Sequence, residues 1–287
     1  MRGFTPQPPS VVVGIDGSRS ALIAASWATE EAVSRSVPLR LVTVVHPDPV
    51  PSVAATERSL AAAEVAVRQA VSVVESASDE VKVDVEIVHG RPADQLLQAS
   101  RGSAMLCIGA VGTTGATMGR FGSTAVELSA RAHCPVAIIR GSSPSGTQSK
   151  SIVVELDSTS EGDALLQLGI DEALLRDAPL VVISVWRPDV TDLHDTHAVA
   201  EQNRKIRAQV NRRLACTRRR HPELDVETVT VHGTLLNYLA HHAGSIQLVL
   251  VGRRRARGVA EMTGLPSYAA LHDSNCSVLV GHQHGTL

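Results

Sequence analysis

Short apolar runs along this chain alternate with longer segments in which apolar residues recur every three or four positions. The runs read as strands buried on both faces and the longer segments as amphipathic helices. The pattern predicts strands at residues 11–15, 38–45, 81–88, 105–108 and 136–139. Between them it predicts helices over 21–34, 54–76, 92–100 and from Ser123 onward. In the first helix Ala24, Trp27, Ala28 and Glu31 fall near helical spacing; in the last, Ala125, Leu128 and Ala132 share one face. Strict strand–helix alternation implies an α/β fold, with a parallel sheet and right-handed crossovers.

The pattern then restarts. A shift of 141 residues places Asp16 on Asp157, Glu31 on Glu172, Pro38 on Pro179, Val44 on Val185 and Pro47 on Pro188. A shift of 143 places Val88-His89-Gly90 on Val231-His232-Gly233 and Gly109 on Gly252. Cys134 and Val136 fall on Cys276 and Val278 at a shift of 142. Indels of one or two residues belong in loops, so this is a tandem duplication. The polar stretch 141–150 reads as the linker, giving a first domain over 1–146 and a second over 147–287.

Composition narrows the function. At 287 residues with 44% hydrophobic side chains there is material for two cores, and with 2% aromatics those cores are aliphatic. A formal charge of −2 and a shortage of stacking rings argue against general nucleic-acid binding. Four cysteines lie far apart with no C-x-x-C, so no disulfide framework is expected. No apolar run has the length of a membrane span, and residues 1–6 lack a signal-peptide core, so a cytoplasmic protein is expected.

The candidate chemistry lies between the fourth and fifth strands. Gly109 ends the run 105–108, Gly112 follows, and Gly122-Ser123 closes the loop. Glycine lets backbone N–H groups converge on an anion, and a helix N-terminus attracts phosphate, with Ser123 placed as its N-cap. Two readings stay open on spacing alone: a phosphate cradle, and an ordinary strand-to-helix connection.

Gly109-x2-Gly112-x9-Gly122-Ser123 resembles the nucleotide motif of the universal stress protein family, in its ATP-binding branch. The resemblance implies two tandem Rossmann-like domains, each a five-stranded parallel sheet of order 3-2-1-4-5 with helices on both faces. Its crevice would open between strands one and four, where Asp16 and Gly109 lie. It implies an adenine nucleotide, ATP with or without Mg2+, held by Gly109, Gly112, Gly122 and Ser123. Asp16 would stand on the nucleoside side, with helix N-capping as its plainer role. Val44 would read the adenine edge, with Gly14, Ile15, Val111 and Thr124 lining the same pocket. Val111 is apolar where the family often has a polar or basic residue, and Arg120 is a candidate for the missing charge.

In the second half Asp157 and Val185 are in place, but the loop departs from the pattern. Gly252 is followed by Arg253, Arg254 and Arg255, and Gly264 by Leu265 in place of Ser or Thr. That half has either lost the nucleotide or holds phosphate through Arg253, Arg255 and Arg257. Neither G-x-x-x-x-G-K-[ST], G-x-G-x-x-G nor H-E-x-x-H occurs, and His194-Asp195-Thr196-His197 reads as a surface loop. The expected function is a nucleotide-dependent regulatory module of stress or growth control. An ATP-cleaving enzyme of the adenine-nucleotide α-hydrolase-like superfamily and a non-binding scaffold are the alternatives. The resemblance also implies pairing through residues 136–139 and 278–280, as an internal pseudo-dimer or a homodimer.

Overall fold

The computed structural model describes residues 9–46, 53–113, 121–141, 150–156, 160–186, 196–232, 234–253 and 276–282. The first half runs β1 (Val11–Ile15), α1 (Arg19–Ser34), β2 (Leu39–Val45), α2 (Val53–Ala77), β3 (Val83–His89), α3 (Pro92–Ala99), β4 (Met105–Gly109), α4 (Ser123–Arg131) and β5 (Val136–Ile139). The second runs β6 (Ser151–Glu155), α5 (Ser160–Leu175), β7 (Leu180–Trp186), α6 (Thr196–Arg220), β8 (Val226–His232), α7 (Leu235–His242), β9 (Ile246–Val251) and β10 (Ser277–Val280). The predicted elements are present, with ends moved by one or two residues.

The ten strands of the described residues form one sheet, in the order β3-β2-β1-β4-β5-β10-β9-β6-β7-β8. Each half is parallel and repeats the expected 3-2-1-4-5 order. The seam is antiparallel: Val278 faces Ile138, Leu279 faces Ala137 and Val280 faces Val136. The internal pseudo-dimer is thus realised by hydrogen bonds between the two last strands, which also protects edges that would otherwise recruit another chain.

Strand alternation divides the interior into two layers. Val11, Val13 and Ile15 point into one, with the alanines of α1 and, from the second half, Leu165, Ile170, Val210 and Leu214. Val12 points into the other, with Leu96, Leu128, Leu235 and Leu239. Both layers cross the seam, so the halves share their cores. Three cysteines, Cys107, Cys134 and Cys276, are buried thiols, Cys216 is exposed, and none of the four is in a disulfide. Among the described residues no helix is long and apolar enough to cross a membrane.

Three buried charges, Glu31, Glu172 and Arg176, meet a half-buried one, Arg35, where the halves join. Arg176 Nη2 donates to Glu31 Oε1 at 2.6 Å, while its Nη1 lies 2.6 Å from Glu172 Oε2. Arg35 Nη2 donates to Glu31 Oε2 at 2.9 Å and to Glu172 Oε1 at 3.3 Å. The guanidinium of Arg176 also lies over the Trp27 ring, 4.6 Å from its centroid. Glu31 and Glu172 are fully buried. With both carboxylates ionised, the two guanidinia leave the cluster electrically neutral, the condition under which buried charges are tolerated.

Candidate functional site

β1 hydrogen-bonds to β2 on one side and to β4 on the other. The chain leaves β1 and β4 on opposite faces, and the crevice between them is the switch point of a doubly wound sheet. A cavity of about 570 Å3 opens there, lined by residues of β1, β2, β4, α2, α3 and α4. That volume is in the range of small-molecule sites.

Asp16, the first residue past β1, spans the crevice. Its Oδ1 accepts from the Ser18 N–H at 2.9 Å and its Oδ2 from the Thr113 N–H at 3.3 Å. It is not a helix cap. That role falls to Ser18, whose hydroxyl accepts from the Ala21 N–H at 3.1 Å. Ser20 then donates to the Val111 carbonyl, tying the first turn of α1 to the loop after β4.

This close approach explains two of the glycines. A Cβ on Gly109 would lie 2.7 Å from the Ser20 carbonyl carbon and 2.8 Å from the Ala21 nitrogen, so α1 can start there only against a bare backbone. A Cβ on Gly112 would lie 2.8 Å from Asp16 Oδ2. Both glycines line the cavity; packing against backbone requires Gly109, whereas at Gly112 the neighbour is the end of the Asp16 side chain.

Gly122 differs. It is the N-cap of α4, in an extended conformation (φ −59°, ψ 153°) that any residue adopts. A Cβ there would meet only the Ala110 carbonyl oxygen, at 3.9 Å, among the described residues. The expectation that Ser123 caps this helix is therefore corrected. Ser123 is the first helical residue, because Gly122 carries the extended backbone and its carbonyl accepts from the Val126 N–H at 3.2 Å. Among the described residues no side chain caps α4, and free first-turn N–H groups of a helix suit an anion. Phe121, buried one residue earlier, shares the core with Val126 in the arrangement of a hydrophobic staple and fixes how the chain enters the helix.

Ser123, Thr124, Gly14, Ile15, Val44 and Val111 all line the same cavity. A Cβ on Gly14 would sit 3.0 Å from a Leu96 methyl carbon, so that residue sets the distance between β1 and α3. Arg120 lies outside the described residues. Sequence reasoning missed one wall: Ser59, Ala62, Ala63 and Ala66 of α2, His46 after β2, and Pro92 and Leu96 of α3. The signal was present in the spacing of small residues along one face of α2. Within the described lining Asp16 and His46 are the only titratable side chains, and no lysine or arginine is among them.

The second half carries its equivalents unevenly. Val185 is half-buried near the end of β7, and Gly252 follows β9. Asp157, Gly264, Arg254, Arg255, Arg257 and Leu265 lie outside the described residues. Among the described contacts, Arg253 reaches into the first half. Its guanidinium donates to the carbonyl of Ala132, the C-cap of α4, and lies 2.8 Å from His282 Nδ1. A cation at that helix end is favoured by the dipole. His194 and Asp195 also fall outside the described residues, among which no group of three or more His, Cys, Asp or Glu could hold a metal.

The model of the universal stress protein family matches residues 9–140 and again 148–282. The chain is 42% identical over 283 residues to universal stress protein Rv2028c of Mycobacterium tuberculosis (strain ATCC 25618 / H37Rv), covering 97% of this chain and 98% of that protein. It is 35% identical over 276 residues to universal stress protein Rv2624c of the same strain, covering 96% and 97%. Among solved structures, a universal stress protein from Archaeoglobus fulgidus DSM 4304 superimposes with a TM-score of 0.69 at 15% identity, covering 99% of this chain and 100% of that one.

Proposed function

This chain belongs to the universal stress protein family, and on that premise we propose that its first repeat, residues 1–146, binds ATP as a cytoplasmic regulatory module. The observation that carries the reading is Gly122. Neither its φ and ψ nor its described neighbours require glycine, yet it sits at an uncapped helix N-terminus on the cavity wall. A backbone that must lie against a ligand supplies the reason.

In this reading the first-turn amides of α4, with the Ser123 and Thr124 hydroxyls, hold the phosphates, while Gly109 and Gly112 bring the loop backbone to the ribose-phosphate. Asp16 accepts from the ribose hydroxyls, since each oxygen now accepting one N–H keeps further acceptor capacity. Val44 and the alanines of α2 enclose the base. With no lysine or arginine in the described lining, phosphate charge is met by backbone N–H groups and the helix dipole. A hard divalent cation bound with the nucleotide would supply further neutralisation. We assign binding rather than turnover, because this reading places Asp16, one of two titratable side chains in the described lining, on the ribose and away from the phosphates. The second repeat, residues 147–287, we assign as a non-binding partner, its Arg253 being used in the contact with Ala132.

The test is calorimetry of the full chain with Mg·ATP, beside Gly122→Glu. Binding by the parent chain and its loss in the variant, at unchanged ligand-free Tm, is the expected result. Absence of heat from the parent chain, or equal binding by both, overturns the reading. ATP consumption in proportion to binding would instead favour an enzyme.

A further inference from the structure

The duplication provides an internal control for surface charge. α2 and α6 occupy equivalent places, both over the layer that contains Ala70, Val74, Val210 and Leu214. Each is 25 residues long. α2 carries Arg58 and Arg68 against Glu57, Glu64 and Glu75. α6 carries seven arginines and Lys205 against Glu201 alone. The fold therefore tolerates a balanced helix at this position, and the charge of α6 is a property of this copy.

The whole-chain charge of −2 conceals the segregation. Ile206, Val210 and Leu214 pack inward. At 100° per residue Arg212 and Arg219 then fall close to the outermost line of the helix, with Arg204 and Lys205 within about 60° of it; all four are exposed, and Glu201, on the same line, pairs with Lys205 at 2.8 Å. Arg204 to Arg219 spans about 22 Å of helix axis. Arg207 stands three residues from Arg204, a like-charge spacing that works against the helix. The last turn, Arg218 to Arg220, suits the helix dipole, but Arg204, Arg207 and Arg212 lie too far from that end to benefit.

We propose that α6 is a docking surface for the sugar-phosphate backbone of duplex DNA, bound without regard to base sequence. Arginine outnumbers lysine seven to one, and its planar fork matches phosphate oxygens in pairs. A duplex offers one charge per about 1.7 Å of axis, on the order of a dozen along this line, denser than an extended acidic peptide can present. An anionic membrane fits less well. The apolar residues of α6 are committed to the core, and the stripe is narrow: on the α5 side Arg213 Nε is tied to Asp163 at 2.8 Å. Single strands fit less well too, for lack of stacking rings.

The experiment is fluorescence anisotropy of a short labelled duplex of arbitrary sequence with the full chain. It is run beside Arg204→Glu/Arg212→Glu/Arg219→Glu and, on the equivalent helix, Arg58→Glu/Arg68→Glu. Expected is binding that weakens steeply as salt rises from about 50 to about 200 mM, with equal affinity for an unrelated duplex. The triple variant should lose at least tenfold and flatten the salt slope by about 2.7. The α2 variant should stay within about twofold. If circular dichroism finds the triple variant unfolded, the Arg→Gln triple is read by the same criterion. No binding by the parent chain at low salt overturns the proposal, as does an unaffected triple variant. So does equal or tighter capture of phosphatidylserine vesicles or polyglutamate.

Discussion

Arg176 and Glu31, 145 positions apart in the chain, meet at 2.6 Å where the two halves join. The contact is one side of a closed ring, since Arg35 and Glu172 supply the partners that repeat it. Burial opposes the charge on Arg176, but Glu172 and Glu31 outweigh it and raise its pKa. Replacing Arg176 by Met would leave two buried carboxylates facing one guanidinium. The expected cost is about 3–5 kcal/mol, read as a lower urea midpoint for the whole chain. Replacing all four residues by apolar ones of similar volume should recover most of that loss. A midpoint unmoved by Arg176→Met would mean that water reaches the cluster.

The same ring sets a pH response. Burial, and after it the neighbouring Glu31, push Glu172 up to about 8, from 4.5 when solvated. A carboxyl raised on folding favours the native state most below its unfolded value. Its contribution then declines as pH climbs through the folded one. Stability attributable to Glu172 should thus fall between about pH 4.5 and pH 8 and level off above. Glu172→Gln should flatten that part of the Tm profile; an unchanged slope would assign the response to another group.

The glycines separate packing from binding. Gly109→Ala places a methyl against the backbone of Ser20 and Ala21, so its Tm should drop whether or not nucleotide is present. Gly122→Ala meets no described atom closer than 3.9 Å in an ordinary conformation, and should hold or raise ligand-free stability by about 0.4–1 kcal/mol. Its response to ATP is where it should fail. The parent chain, with ATP at a hundredfold excess over Kd, should gain about 2.7 kcal/mol, and Gly122→Ala much less. Paired thermal melts with and without ATP decide the matter.

Arg253→Ala removes the cation from the end of α4. About 0.3–1 kcal/mol of stability should go with it, and more if the Ala132 carbonyl is left without a donor. Nucleotide affinity in the first half should be unchanged, because the substitution lies at the far end of α4 from Gly122. A loss of ATP binding in this variant would show that α4 transmits between its ends.

Much of this architecture was legible in the sequence because each signal was local or periodic. Apolar runs marked the strands, and the shift of 141 residues set Glu31 on Glu172 before either was known to be buried. The same shift sets Arg35 on Arg176, but a register of equivalent positions does not say that equivalent residues touch. That requires knowing how β5 meets β10. The glycines at 109, 112 and 122 were legible as a group, but not their separate causes, which depend on how closely α1 approaches β4. Ser123 looked like the cap because serine caps well; Gly122 took the place because the bend came one residue earlier. The destination of Arg253 could not be read at all, since its partner Ala132 is 121 residues away and offers only a carbonyl.

The antiparallel seam between β5 and β10 has a geometric corollary. Parallel half-sheets joined that way run in opposite directions, so their carboxyl rims face away from each other. Each polypeptide therefore carries Gly109 on one rim and Arg253 on the opposite one, in a fixed one-to-one ratio. A homodimer of identical subunits would have to decorate both rims alike. Fusion into a single chain freed the two ends to specialise, and made the particle polar.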